Sequence, residues 1–331
     1  MRKSHKPVAV LSVASLILFA QLVMTATPSS ADPGVPPPPA ATPLIGSSVQ
    51  PAGGIPGKGA PVAGFVEAKR AMASEYAAAR AGTIPMDRYR LDQRAFEAKW
   101  FGPSPIAPWA TSADGSPTTA GGRLASPMFA CCQSHDLAMS QAPQQKTYYC
   151  GAGAAYSVLA YLGFSTSHDG ESLSQTCIGG SCGPGAPTSQ KYLETDYWGN
   201  TPWYVSQTDW PVPGTLNYWR TGVYTGFYAA ELPSTEGSYE TELTYDIDNY
   251  WPTMPDVWEQ VGNTHLWGHP NVDIKHWIAA FGYSNYGAGT DYVDPAANSV
   301  VGWTSVQAYN YNYPSSSMYY MMGLFPYGHV W

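Results

Sequence analysis

Apolar residues along this chain fall into a few distinct patterns, separated by stretches with no pattern at all. Val8 to Met24 is a single apolar run behind a basic start. Residues 32–63 and 103–125 are rich in Pro, Gly, Ala, Ser and Thr and hold too little apolar surface to fold, which predicts two linkers. Between them, residues 64–102 place Val66, Ala73, Tyr76, Ala77, Tyr89, Phe96 and Trp100 at roughly helical spacing, so two helices broken at Gly82 to Pro85 are expected. Residues 126–331 remain for the main domain, long enough for one substantial core. Within it, Ala155, Val158, Leu159 and Leu162 form a helical stripe that starts just after Cys150 and stops at Gly163. Further on, His276 to Tyr283 reads as a buried strand, Ser284 to Thr290 as a turn, and Asp291 to Asp294 as a returning strand ended by Pro295.

The first run changes the compartment. A basic start, an apolar segment and small residues at Ser29, Ser30 and Ala31 have the layout of a secretory signal peptide over residues 1–31. The expected product is secreted, extracellular or associated with the cell wall, without stable membrane insertion. With 24 acidic against 16 basic residues, the chain lacks the basic surface that nucleic-acid binding requires. Five cysteines then matter, because an odd number in an oxidising compartment leaves one free thiol. Cys150 is the candidate. The other four, Cys131, Cys132, Cys177 and Cys182, allow three connectivities; a tight Cys177 to Cys182 loop beside a strained vicinal pair competes with two crossed bridges, and the crossed bridges carry less strain.

A cysteine at a helix N-terminus meets unpaired backbone amides and the positive end of the helix dipole, and both favour its thiolate. It still needs a base. A hairpin from His276 to Pro295 brings Asp294 back beside His276, and so supplies a base with a group to orient it. Asp291 is a weaker rival for that third place. Gln144, six residues before Cys150, offers a side-chain amide to a developing oxyanion, with adjacent Gln145 as its competitor.

The order Gln144, then Cys150-Gly151 at the start of a small-residue helix, then His276-Trp277-Ile278 running to Gly282-Tyr283, then Asp294-Pro295, resembles family thirty-nine of the papain-like cysteine peptidases. Its secreted, stand-alone branch is the nearer likeness. Leu243 to Pro252, with Asp246 and Asp248 on a helix before Trp251-Pro252, is similar to the segment preceding the histidine in that branch. The resemblance covers about residues 142–306. It implies an α+β fold, with the cysteine-bearing helix packed on an antiparallel sheet carrying the histidine and aspartate. It also implies Cys150 as nucleophile, His276 as base, Asp294 as orienting residue and Gln144 as oxyanion donor. Two departures stand out: Ala152-Gly153 replaces the usual Pro-Ala after Cys-Gly, and a Tyr/Trp-rich insertion lengthens the stretch between Cys150 and His276.

The expected activity is hydrolysis of peptide or amide bonds in a peptide or protein substrate, by a monomer, through a thioester and without a cofactor. A Cys-His-Asp acyltransferase of transglutaminase or deamidase type uses the same three groups, and a catalytically silent polymer-binding wall protein is the rival of another class. The helical segment 64–102 is a spacer, or a pro-segment of the kind papain-like enzymes carry. His265 and His269 have metal-pair spacing, but Gly268 and Pro270 oppose a helix there, so no metal is expected. His135, His168 and His329 are expected at the surface. The aromatic tracts Tyr192 to Trp219 and Tyr309 to Tyr320 are expected to be ordinary core and surface residues rather than a stacking groove.

Overall fold

The computed structural model describes residues 58–60, 62–101, 133–182, 192–206, 209–324 and 328–331. The expected signal peptide, most of the first linker, all of the second, Cys131 and Cys132 lie outside the described residues. The helices are α1 (Phe65–Arg80), α2 (Met86–Phe101), α3 (Cys150–Tyr161), α4 (Thr195–Trp198), α5 (Pro211–Thr221), α6 (Glu236–Asp248) and α7 (Ser315–Gly323). The strands are β1 (His135–Asp136), β2 (Ala230–Glu231), β3 (Met254–Glu259), β4 (Ile274–Trp277), β5 (Ala279–Ser284), β6 (Gly289–Val293), β7 (Tyr309–Pro314) and β8 (His329–Val330).

They form two four-stranded antiparallel sheets, in the orders β1-β5-β6-β7 and β2-β8-β3-β4. The architecture is therefore mixed helix and antiparallel sheet. The single strand expected from His276 is split. It starts two residues earlier, at Ile274, and at Ile278 the chain leaves one sheet and enters the other. The main-chain bonds explain the handover: Ile278 donates to Pro255 at 3.2 Å, and Ala280 and Thr253 exchange bonds at 2.8 and 3.1 Å. His276 thus belongs to one sheet, while the strand leading to Asp294 belongs to the other.

The α3 stripe does what its spacing predicts. Ala155, Val158 and Leu159 are fully buried, Leu162 nearly so, and the helix packs against β4, β5 and α5. Gly163 takes a positive φ of 85° where the helix stops.

Helices α1 and α2 form the expected hairpin, and it is fixed to the main domain. Phe65, Met72, Tyr76, Tyr89 and Phe96 share a buried cluster with Ala229, Tyr245 and Trp331. Under that cluster Lys69, itself buried, bonds Asp246 of α6 at 3.1 Å and lies 3.7 Å over the Phe227 ring. Burial pulls the Lys69 ammonium down to about 8 against the opposing pull of Asp246.

Two expectations are corrected. Cys177 is bonded to Cys182, so the tight loop forms and the crossed bridges do not. The physical reason is a distorted turn over Cys177–Ser181, where Gly180 takes a φ of 103° and folds the chain back on itself. His329 is completely buried rather than exposed, with its ring stacked on Trp331 and edge-on to Tyr239. His135 is partly buried and bonds Asp248 at 2.8 Å, while His168 is exposed as expected. No helix among the described residues is long and apolar enough to cross a membrane.

Candidate active site

Cys150 opens α3, and no side chain caps that helix end. It is the free cysteine among the described residues and is partly exposed. Glycines on either turn of the helix start let other segments come close. A Cβ on Gly151 would sit 2.3 Å from the Thr201 hydroxyl and 2.5 Å from its Cβ, so the 201 segment fits only against a glycine. A Cβ on Gly153 would sit 2.8 Å from Pro295 Cβ and 3.0 Å from the Ala142 carbonyl. That second approach brings Pro295, and with it Asp294, to the first turn of the cysteine helix.

His276, on β4, is 3% exposed, and its ring meets the Cys150 sulfur in a hydrogen bond. Its Nε2 lies 2.9 Å from Asp294 Oδ1, which leaves Nδ1 as the ring nitrogen for the sulfur. Asp294 is fully buried and follows β6, where Val293 pairs with Ala279. Its Oδ1 also accepts from the Ala296 amide at 2.8 Å. Gln141 donates its side-chain amide to the Asp294 carbonyl at 2.9 Å, and the Gln144 amide donates to the Pro295 carbonyl at 2.8 Å. The segment ahead of Cys150 is thereby laid along the loop that carries the aspartate.

The electrostatics favour a separated charge. Burial pushes the Cys150 thiol up, but the His276 hydrogen bond and charge, with the backbone N–H groups of Trp277 and Gly151, bring it below its ordinary value. Burial works against the His276 imidazolium, and the charge and hydrogen bond of Asp294, aided by Cys150, raise it well above the usual range. Asp294 would be pushed up by burial, yet His276 and His269 hold its carboxyl well below the normal carboxylate range. These shifts all favour a thiolate–imidazolium–carboxylate row over its neutral counterpart.

The structure therefore brings Cys150, His276 and Asp294 together. Asp291 is elsewhere, accepting from the Asn312 amide. Gln144 is close in the chain but differently employed. Its Nε2 donates to the Lys146 and Thr147 carbonyls at 2.9 and 3.0 Å, and its Oε1 is buried without a partner. Both of its N–H groups are thus engaged by the loop ahead of α3. Gln145 is exposed, and its backbone N–H is bonded to the Gln175 side-chain oxygen at 2.9 Å.

Three residues of the site escape sequence reasoning. Asp256 on β3 is buried opposite Trp277, and burial together with the neighbouring Cys150 charge raises its carboxyl well above the usual range. His269 and Glu259 extend the row beyond Asp294. His269 Nε2 lies 2.8 Å from Asp294 Oδ2, and its Nδ1 lies 2.7 Å from Glu259 Oε1. Its spacing from His265 was the available signal, and it suggested a metal pair instead. His269, His276 and Asp294 do bring ligand-type atoms within 4.8 Å of one another. Each of those nitrogens, however, faces a carboxylate oxygen at hydrogen-bond distance, so protons already bridge them.

No family model matches this chain, and no curated protein does. Among solved structures, the crystal structure of xylellain, a cysteine protease from Xylella fastidiosa, aligns over 57% of this chain and 81% of its own, with 12% identity and a TM-score of 0.27. A likeness that low does not bear on fold or reaction.

Proposed function

We propose that this chain is a secreted cysteine peptidase that hydrolyses peptide or amide bonds through a thioester. One observation carries this: a cysteine at an uncapped helix start whose thiol interacts, by hydrogen bond and charge, with a buried imidazole that is also bonded to a buried carboxylate. A helix bearing the cysteine, packed on antiparallel strands bearing the histidine and leading to the aspartate, is also the papain-like layout. The basic and apolar start of the sequence supports export.

In the reaction, the Cys150 thiolate attacks the substrate carbonyl carbon, and the carbonyl electron pair moves onto oxygen. The Cys150 backbone N–H, at the positive end of α3, is the donor best placed for that oxyanion. His276 gives the proton on Nδ1 to the leaving amine as the C–N bond breaks, which leaves a thioester. Water then attacks, His276 takes its proton, and the acid departs as the thiolate returns. Asp294 keeps the imidazole on the Nε2–H side throughout and stabilises its charge.

The test is to treat the mature protein with a thiol-reactive peptidyl probe and to map the labelled residue by mass spectrometry without reduction. Cys150 should carry the label, with Cys177 and Cys182 protected. Cys150→Ala and His276→Ala should lower cleavage of a peptide library to background. A fully active, folded Cys150→Ala variant would overturn the proposal. Product analysis with an added amine separates hydrolysis from acyl transfer to that amine.

A further inference from the structure

Beyond the three residues above, the row continues into ground that a thiol peptidase does not need. The His269 side chain is completely buried between two completely buried carboxylates, Asp294 and Glu259. A carboxylate can only accept, so His269 satisfies both contacts only with a proton on each ring nitrogen. Glu259 Oε2 is held in turn by the Leu266 amide at 2.9 Å and faces His265 Nδ1 at 3.1 Å. The His269 ring is 5.1 Å from the His276 ring and 5.0 Å from Trp303.

Resting on the proposed peptidase site, we propose that His269 is a positioning residue: a second imidazole, protonated on both nitrogens, that clamps Asp294 Oδ2 and, through its positive charge, lowers the pH at which the Cys150 thiolate forms.

Two consequences follow from the geometry. Asp294 Oδ1 serves His276 and Ala296, and Oδ2 serves His269, so the carboxylate cannot rotate without losing a bond on each oxygen. A cation close to His276 also makes every nearby proton easier to remove, the thiol proton included. The charged or titratable groups facing this region among the described residues are Glu259 and Asp256 from β3, His276 from β4, Asp294 after β6, Tyr292 of β6, Tyr313 of β7, Cys150 beside His276, and His265 through Glu259. Burial shifts Asp256 toward its neutral form, which weakens its hold on the cation. Burial opposes the His269 charge, but the hydrogen bonds and charges of Asp294 and Glu259 raise it above its ordinary value.

The decisive measurement is the rate of iodoacetamide alkylation of Cys150 in the full mature chain, followed against pH for the parent, His269→Gln and His269→Phe. Thiolate formation occurs while His276 is already protonated, so loosening Asp294 affects both states alike and the lost cation dominates. The acid limb should move up by at least about half a pH unit in both variants, or roughly a threefold lower rate on that limb. An unmoved limb in both variants, with parent-like melting, overturns the proposal. Should the variants not fold, nitrogen-15 spectra of the parent decide: two side-chain N–H protons on His269 at pH 7 to 8 support the charge, and a single tautomer refutes it. The outcomes also separate the two claims. A parent limb at the ordinary thiol value of about 8.5 refutes the peptidase ion pair. A depressed parent limb that ignores His269 refutes only the role of His269.

Discussion

Asp294 is the point at which the site can be dissected most finely, because its two oxygens do different work. Oδ1 holds His276 and Ala296, and Oδ2 holds His269. In Asp294→Asn the remaining carbonyl oxygen can keep the Oδ1 bonds. The new NH2 then stands where Oδ2 was and faces His269, which must shed its Nε2 proton to accept. The variant loses one negative and one positive charge together and keeps every hydrogen bond. The expected cost is the difference between charged and neutral bonds, roughly 1–2 kcal/mol of stability. Asp294→Ala keeps none of the three bonds, leaves His276 buried without its carboxylate and leaves His269 with Glu259 alone, which should cost about 3–5 kcal/mol. With Asp294 gone, burial acts on His276 with less opposition, so the imidazolium and the Cys150 thiolate are both disfavoured. Urea melts of the two variants, alongside Cys150 alkylation against pH, read both effects. Equal melting midpoints for the Asn and Ala variants, or a parent-like alkylation profile in the Ala variant, would refute this division of labour.

Two further expectations concern the frame around the row. Gly151→Ala drives a methyl group into Thr201, whose Cβ is already only 2.5 Å from the new atom, so rotating that side chain gives no relief and the backbone must move. The cost should be about 1–3 kcal/mol, with slower alkylation of Cys150, and Thr201→Gly in the same chain should recover part of it; unchanged melting in Gly151→Ala would count against the close approach. Stability should also track pH on both sides. Asp294, depressed in the folded state, contributes above about pH 4 and loses that contribution as pH falls through its folded value. His276, raised in the folded state, contributes fully below about pH 6.5 and loses that contribution as pH rises through its folded value. The urea midpoint should therefore decline at both extremes, and the alkaline decline should shrink in His276→Ala. An alkaline limb identical in that variant would exclude His276 as its source.

What was legible in the sequence was whatever depends on local pattern. The α3 stripe, the break between α1 and α2, and the hairpin that returns Asp294 toward His276 all follow from spacing and turn residues. What was not legible depends on which segments meet. Nothing near Ile278 announces that the strand changes sheets there, since the partner bonds come from Thr253 and Pro255. Gln144 has the expected spacing, yet its amide goes to carbonyls of its own loop, a competition that spacing cannot weigh. His269 was hidden by its context: a histidine between Gly268 and Pro270 looks like loop, and only Glu259 on β3, ten residues earlier, reveals its use. His329 fails for a related reason, because its burial is created by Tyr239 and Trp331 rather than by its neighbours in sequence.

The buried Lys69–Asp246 pair has a consequence for any form of this protein that is cut. Its two members lie on opposite sides of residues 102–132, and Arg80 and Gln93 add contacts across the same divide, to Asp248 at 3.6 Å and Asn249 at 2.8 Å. Severing the chain in that interval would break its continuity and leave these contacts between the described residues in place. The two pieces would travel together through a sizing column under native conditions and part only in denaturant. A gel band of reduced mass would then be no sign that α1 and α2 had been released from the domain they cover.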